Sequence, residues 1–156
     1  MNMEEVILTE YGALIVCHNG KVINSINFLD ELPIKPGIPK SEIIKKLEKE
    51  LAEFAKGKRQ KFDMEFSPLP KGTIFQEKVW KITGKIPYGK TLTYKGVAQK
   101  IGNPKLARAV GNAMRANRLP FLIPCHRVVA KNGLGGYAGK SGIATKRKLL
   151  LLEKAI

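Results

Sequence analysis

Two of the 156 residues are cysteine and two are histidine. Two thiols cannot form the disulfide framework of a small secreted domain, so a reducing compartment is expected. Acid is also scarce, with 13 Asp and Glu against 28 Lys and Arg and a formal net charge of +15. That imbalance excludes an ordinary mixed surface and points to an anionic partner, nucleic acid first. No run approaches the roughly 18 consecutive apolar residues that a membrane span needs. The opening MNMEEVILTEYG lacks the basic start and apolar centre of a secretory signal. Internal repeats and low-complexity segments are missing. These absences leave a soluble protein of the cytoplasm, nucleoid-associated if the source is prokaryotic.

What acid there is sits at one end. Residues 1–66 hold 10 basic and 11 acidic side chains, whereas residues 67–156 hold 18 basic and 2 acidic. The two acids left in that basic half are Glu77 and Glu153. The first half alternates like a small α/β unit. EVILTEYGALIVCHNGKVINSINF reads as strands, with a type I′ hairpin signal at Asn19-Gly20. SEIIKKLEKELAEFAKG puts Ile43, Ile44, Leu47, Leu51 and Phe54 on one helical face, between Ser41 as N-cap and Gly57 as stop. The Pro-rich FSPLPKG, Phe66 to Gly72, marks the boundary, giving units 1–66 and 67–156.

The second unit opens with a helix capped by Thr73 and Gln76 at capping-box spacing. Thr93 then caps YKGVAQKI, which Gly102 ends. Asn103-Pro104 starts another helix, KLARAVGNAMRAN, with Leu106, Val110 and Met114 on one stripe. Two short helices joined by a Gly-containing turn describe a helix-turn-helix. Lys105, Arg108 and Arg115 lie off the apolar stripe, and Ala107, Ala109, Gly111 and Ala113 would permit close approach to a surface.

The chemistry-bearing stretch is FLIPCHRVVAKNG. Cys125, His126 and Arg127 adjoin there, and a thiol beside two basic side chains is expected to have a depressed pKa and to act as a nucleophile. Cys17-His18 and Cys125-His126 could be imagined as a zinc site, but adjacent residues in extended chain point to opposite sides and chelate poorly. No metal is expected, and Cys17 reads as an inert thiol within a strand.

LPKGTIFQEKVW, IPYGKTLTY, IGNPKLARAVGNAMRAN, IPCHRVVAKNGLGGYAGK and KRKLLLLE together resemble the O6-methylguanine-DNA methyltransferases, from about Leu69 to Glu153. The resemblance implies a ribonuclease-H-like α/β first domain and a mainly α second domain with a helix-turn-helix. It implies direct reversal of DNA damage: one alkyl group passes irreversibly from guanine O6 to Cys125, with no cofactor. His126 would act on Cys125 through a water, Glu153 would orient His126, and Asn117 would brace the helix-turn-helix against the cysteine strand. Tyr94 would rotate the nucleotide and donate to guanine N3. Arg108 would fill the gap left by the flipped base. Lys105, Ala107 and Arg115 would lie at the DNA, and the second helix would enter the minor groove. Met114, Val128, Tyr137 and Ala138 would wall the substrate pocket, with backbone at Cys125 and Val128 accepting from the guanine amino group. The partner would be double-stranded DNA, met by a monomer.

Three features depart from the family pattern: Arg118 follows Asn117 where proline is usual, the KNGLGGY loop is one residue shorter than in many members, and Ala138 and Lys140 follow Tyr137 where other residues are common. Other function classes are weighed by the same residues. A lesion sensor without transfer would lack Cys125, a plain DNA-binding regulator would not need Cys125, His126 and Glu153, and a cysteine hydrolase would not need the basic half.

Overall fold

The Val- and Ile-rich start of the chain forms the sheet that its composition predicts. The structure is a computed structural model that describes residues 2–31, 40–64, 71–138 and 142–156. Strands β1 (Met3–Thr9), β2 (Gly12–His18) and β3 (Ile23–Leu29) make an antiparallel meander in that order. A tight turn at Glu10-Tyr11 joins the first two, closed by Gly12 at φ 112°. The β2–β3 connection falls at Asn19-Gly20 as expected, but its geometry differs from a type I′ turn. That turn needs positive φ at both central residues, and only Gly20 has it. Instead the Asn19 side chain accepts from the backbone N–H groups of Lys21 and Val22, closing a wider loop.

Helix α1 (Glu42–Ala55) lays Ile43, Ile44, Leu47, Leu51 and Phe54 into the core, the face its spacing predicts. Ser41 precedes it without capping it: its hydroxyl and backbone N–H both turn to the Glu5 carboxylate on β1. The expected domain boundary lies largely on residues 65–70, outside those described.

In the second half α2 (Ile74–Gly84) carries the full Thr73/Gln76 capping box. β4 (Leu92–Thr93) leads directly into α3 (Tyr94–Ile101), where the Thr93 hydroxyl accepts from Gly96 N–H and Gly102 ends the helix at φ 114°. The next helix begins later than its sequence predicts. Asn103 caps a single 3₁₀ turn at Pro104–Leu106, and α4 runs over Ala107–Arg115. Trp80 on α2 ties α4 in place, its indole N–H donating to Ala113 O at 2.9 Å. β5 (Val128–Val129) pairs in parallel with β4, and α5 (Gly142–Leu152) closes the fold.

One apolar cluster runs through both halves, from Ile7 and Leu14 on the sheet through Val79 and Val97 to Leu149 on α5. The outer edge of β3 meets the loop after α4, where Ile26 N–H donates to Arg118 O at 2.8 Å. The whole is a mixed α/β arrangement of a small sheet and several helices. Among the described residues no helix is long and apolar enough to cross a membrane, and no cluster of His, Cys, Asp and Glu is grouped to hold a metal.

Candidate active site

The chain between α4 and β5 is folded to present one thiol. Asn117 organises it from both ends of its amide. Its Nδ2 donates to Ile123 O at 3.2 Å, and its Oδ1 accepts from Leu119 N–H at 3.0 Å. Phe121 adopts φ 71°, a left-handed conformation that is unusual for a bulky residue. Cys125 then opens a 3₁₀ turn with His126 and Arg127. Its side chain lies in a hollow of about 250 Å³ lined by Tyr94, Met114, Asn117, Pro120, Tyr137 and Ala138, among others. A wider hollow of about 450 Å³ between α2 and α3, lined by Lys85, Lys90 and Lys100 among others, has no thiol or imidazole in its lining. Chemistry therefore assigns the site to the smaller one.

Behind the thiol, Glu153 is 3% exposed and fully engaged. It accepts from His126 Nε2 at 2.8 Å, and from Arg127 Nε and Nη2 at 2.8 Å each. Burial alone would raise its pKa, but the hydrogen bonds from His126 and Arg127 and the Arg127 charge outweigh this and hold it at about 2. An ionised carboxylate only accepts, so the proton of His126 sits on Nε2. Its buried Nδ1 is then a bare acceptor, with no partner among the described residues. Burial lowers the His126 pKa despite Glu153, keeping the ring neutral.

The thiol differs from its sequence-based expectation. Burial pushes the Cys125 pKa up, opposed by the Asn117 amide, the Lys146 charge and neighbouring backbone N–H groups. Arg127, expected to lower it, is turned toward Glu153 and donates its remaining hydrogen bond to Ile86 O at 2.8 Å. Burial thus favours the neutral thiol over a standing thiolate.

Of the expected pocket walls, Met114, Tyr137 and Ala138 line the hollow. Val128 does not. It is fully buried in β5, and its carbonyl, expected to accept from guanine, already accepts from Lys146 Nζ at 2.6 Å. Tyr94 starts α3 and faces the hollow, and burial raises its pKa. Arg108, in the first turn of α4, and Lys105 are exposed, while Ala107 is half-buried. Arg115, grouped with the DNA contacts, is exposed and lines the hollow as well.

Two site residues do something that the sequence reading does not anticipate: Arg127, expected to act on the thiol, clamps Glu153 instead, and Lys146 has no expected role at all. Lys146 is fully buried and bridges Val128 O and Gly136 O, the second at 3.0 Å, which fastens the glycine loop to the cysteine strand. Burial lowers its pKa to about 8, against the pull of Cys125. A signal is present in the chain. Lys146, Leu149, Leu150 and Glu153 follow helical spacing, so the face that carries the expected Glu153 carries Lys146 too.

Comparison with known proteins places the chain among relatives. Residues 74–155 match the family model for the DNA-binding domain of 6-O-methylguanine DNA methyltransferase. A probable methylated-DNA–protein-cysteine methyltransferase of Acanthamoeba polyphaga mimivirus is 41% identical over 96% of this chain and 95% of its own. The crystal structure of Mycobacterium tuberculosis O6-methylguanine methyltransferase superposes with a TM-score of 0.83 at 34% identity, covering 99% of this chain and 94% of that one. The M. tuberculosis protein in complex with DNA gives the same TM-score at 35% identity, covering 97% and 92%.

Proposed function

The chain belongs to the O6-methylguanine-DNA methyltransferase family, and on that premise we propose that it repairs DNA by moving an alkyl group from guanine O6 onto its own Cys125. The observation that carries this reading is the half-buried Cys125 thiol in the wall of a hollow of about 250 Å³, backed by the buried and mutually bonded His126, Glu153 and Arg127.

The chemistry follows from the array. The thiol must lose a proton before it attacks, because the thiolate is the nucleophile. His126 Nδ1 is the bare base, reached through one water, and Glu153 orients the ring and offsets the imidazolium as it forms. Arg127 holds Glu153 ionised, so the carboxylate steadies the proton on His126 without taking it. The sulfur–carbon bond forms as the carbon–O6 bond breaks, and the electron pair stays with the base. Restored guanine gains one proton overall, matching the one lost by the thiol. The Tyr94 hydroxyl, protonated at neutral pH, offers a donor to guanine N3. The product thioether has no neighbour able to cleave it, so each molecule acts once.

A stacked, paired guanine hides its O6 substituent from in-line attack, so the nucleotide is flipped out. Arg108 fills the space it leaves, Lys105, Ala107 and Arg115 lie along the duplex, and α4 occupies the minor groove. Met114, Tyr137 and Ala138 wall the base. We read residues 1–66 as the ribonuclease-H-like support domain, a reading supported by the antiparallel meander with α1 against it. Double-stranded DNA is the partner, the protein acts as a monomer, and its place is with the DNA in the cytoplasm.

The test is a titration of duplex DNA bearing one O6-methylguanine. Restored guanine should rise with added protein and stop at one per molecule, and Cys125→Ser should bind the duplex yet restore none. Repair beyond one guanine per protein, or repair by Cys125→Ser, would remove Cys125 as acceptor.

A further inference from the structure

The pocket is backed by a residue of the first unit that the repair chemistry does not use. Phe28 stands near the end of β3, the sheet's outer strand. Its ring meets Tyr137 edge-on, with centroids 5.9 Å apart and planes at 71°. It also packs on Phe121 at 5.9 Å, and Phe121 packs in turn on Tyr11 at 5.6 Å. Tyr137 lines the hollow on one side, and Pro120, the neighbour of Phe121, lines it on another. One side chain thus sits behind two parts of the same pocket.

The wall it supports is held by packing against the apolar cluster. The Tyr137 hydroxyl is buried with no hydrogen-bond partner among the described residues. Among the described residues, then, packing rather than a polar contact sets the position of that ring. The glycine loop leading to it is tied at Gly136 by Lys146, one residue before the ring. Phe121 is held at its left-handed φ of 71° while packed between Phe28 and Tyr11.

We infer that Phe28 is a specificity-determining positioning residue: by bracing Tyr137 and the Pro120-Phe121 turn, it fixes the width of the pocket and so the size of alkyl group accepted at Cys125. The inference rests on the proposed repair function. Filling the space behind an aromatic wall holds it forward. Removing the ring lets the wall recede, which aids a bulky substituent and loosens a small one.

The test compares single-turnover rates on duplexes carrying O6-methylguanine and O6-benzylguanine, using the full chain. For Phe28→Leu the benzyl-to-methyl rate ratio should rise roughly three- to ten-fold, the range that an edge-to-face aromatic pair is worth. Phe28→Tyr, which keeps the ring, should restore the ratio of the unaltered protein. DNA affinity should stay unchanged in both, because α4 is not touched. Phe28→Met serves as a second replacement if the leucine variant does not fold. A ratio unchanged in Phe28→Leu or Phe28→Met, or shifted toward methyl, would overturn the inference even if stability falls. Absence of any transfer by the unaltered protein would instead overturn the repair function, and this inference with it.

Discussion

His126 has one nitrogen committed to Glu153 and the other bare, and that asymmetry is the basis of the proposed reactivity. Replacing Glu153 by Gln should therefore do two things. It removes the partner of a buried guanidinium, which costs about 3–5 kcal/mol of stability, read as a lower urea midpoint. It also frees the orientation of His126, which should slow transfer by about a hundred-fold or more, the usual scale for a positioned base. A Glu153→Gln protein as fast as the unaltered one would show that His126 needs no orienter. The raised Cys125 pKa makes a separate prediction. Without DNA, Cys125 should react slowly with iodoacetamide at neutral pH and speed up only above the ordinary thiol range. Fast labelling at pH 7 would restore the depressed thiol expected from the sequence. That expectation fails because adjacency in sequence is not adjacency in space. Arg127 follows His126 by one residue yet faces Glu153, and burial, which the sequence does not display, governs the thiol.

At the scale of elements most of the fold is legible in the sequence. Capping at Thr73 and Thr93, the stop at Gly102 and the apolar face of α1 depend on local chemistry, and the structure bears them out. What fails is non-local. Ser41 looks like an N-cap, but Glu5 on a distant strand takes its hydroxyl. Val128 looks like a pocket wall, but it is fully buried in β5 and does not line the hollow. The glycine loop reads as close-fitting without a reason for it, and the structure supplies one. Gly135 has φ 77°, and an added Cβ would overlap the Tyr94 hydroxyl. Gly135→Ala should thus displace the loop, costing about 1–3 kcal/mol from backbone strain alone and slowing transfer with little loss of DNA affinity. On α4, exposed Arg108 has a different signature: Arg108→Ala should lower the flipped fraction, read with a fluorescent base beside the lesion, more than it lowers total binding. Equal losses in both would deny it the intercalating role.

The whole molecule divides its charge, and residue order alone displays the division: 18 basic residues against 2 acidic after residue 66. DNA affinity should fall steeply with salt, and Lys105→Ala should reduce the slope by about one phosphate contact. Stability should depend on acid in a defined window. Glu153 stays ionised down to about 2 when folded against an ordinary 4.5, so its contribution is complete above 4.5 and lost as pH falls toward 2. His126, buried neutral, adds to the loss below its ordinary 6.5, because only the unfolded chain takes that proton readily. Thermal melts from pH 7 to 3 should therefore decline, and Glu153→Gln should flatten the lower part of the curve. The central claim is narrower than any of these: Cys125 is the final resting place of the alkyl group. Intact-mass and peptide mass spectrometry after incubation with duplex DNA holding one O6-methylguanine tests it most directly. The account predicts one added methyl group, on the peptide containing Cys125, in equal amount to the guanine restored. Restored guanine with an unmodified Cys125 peptide would contradict it.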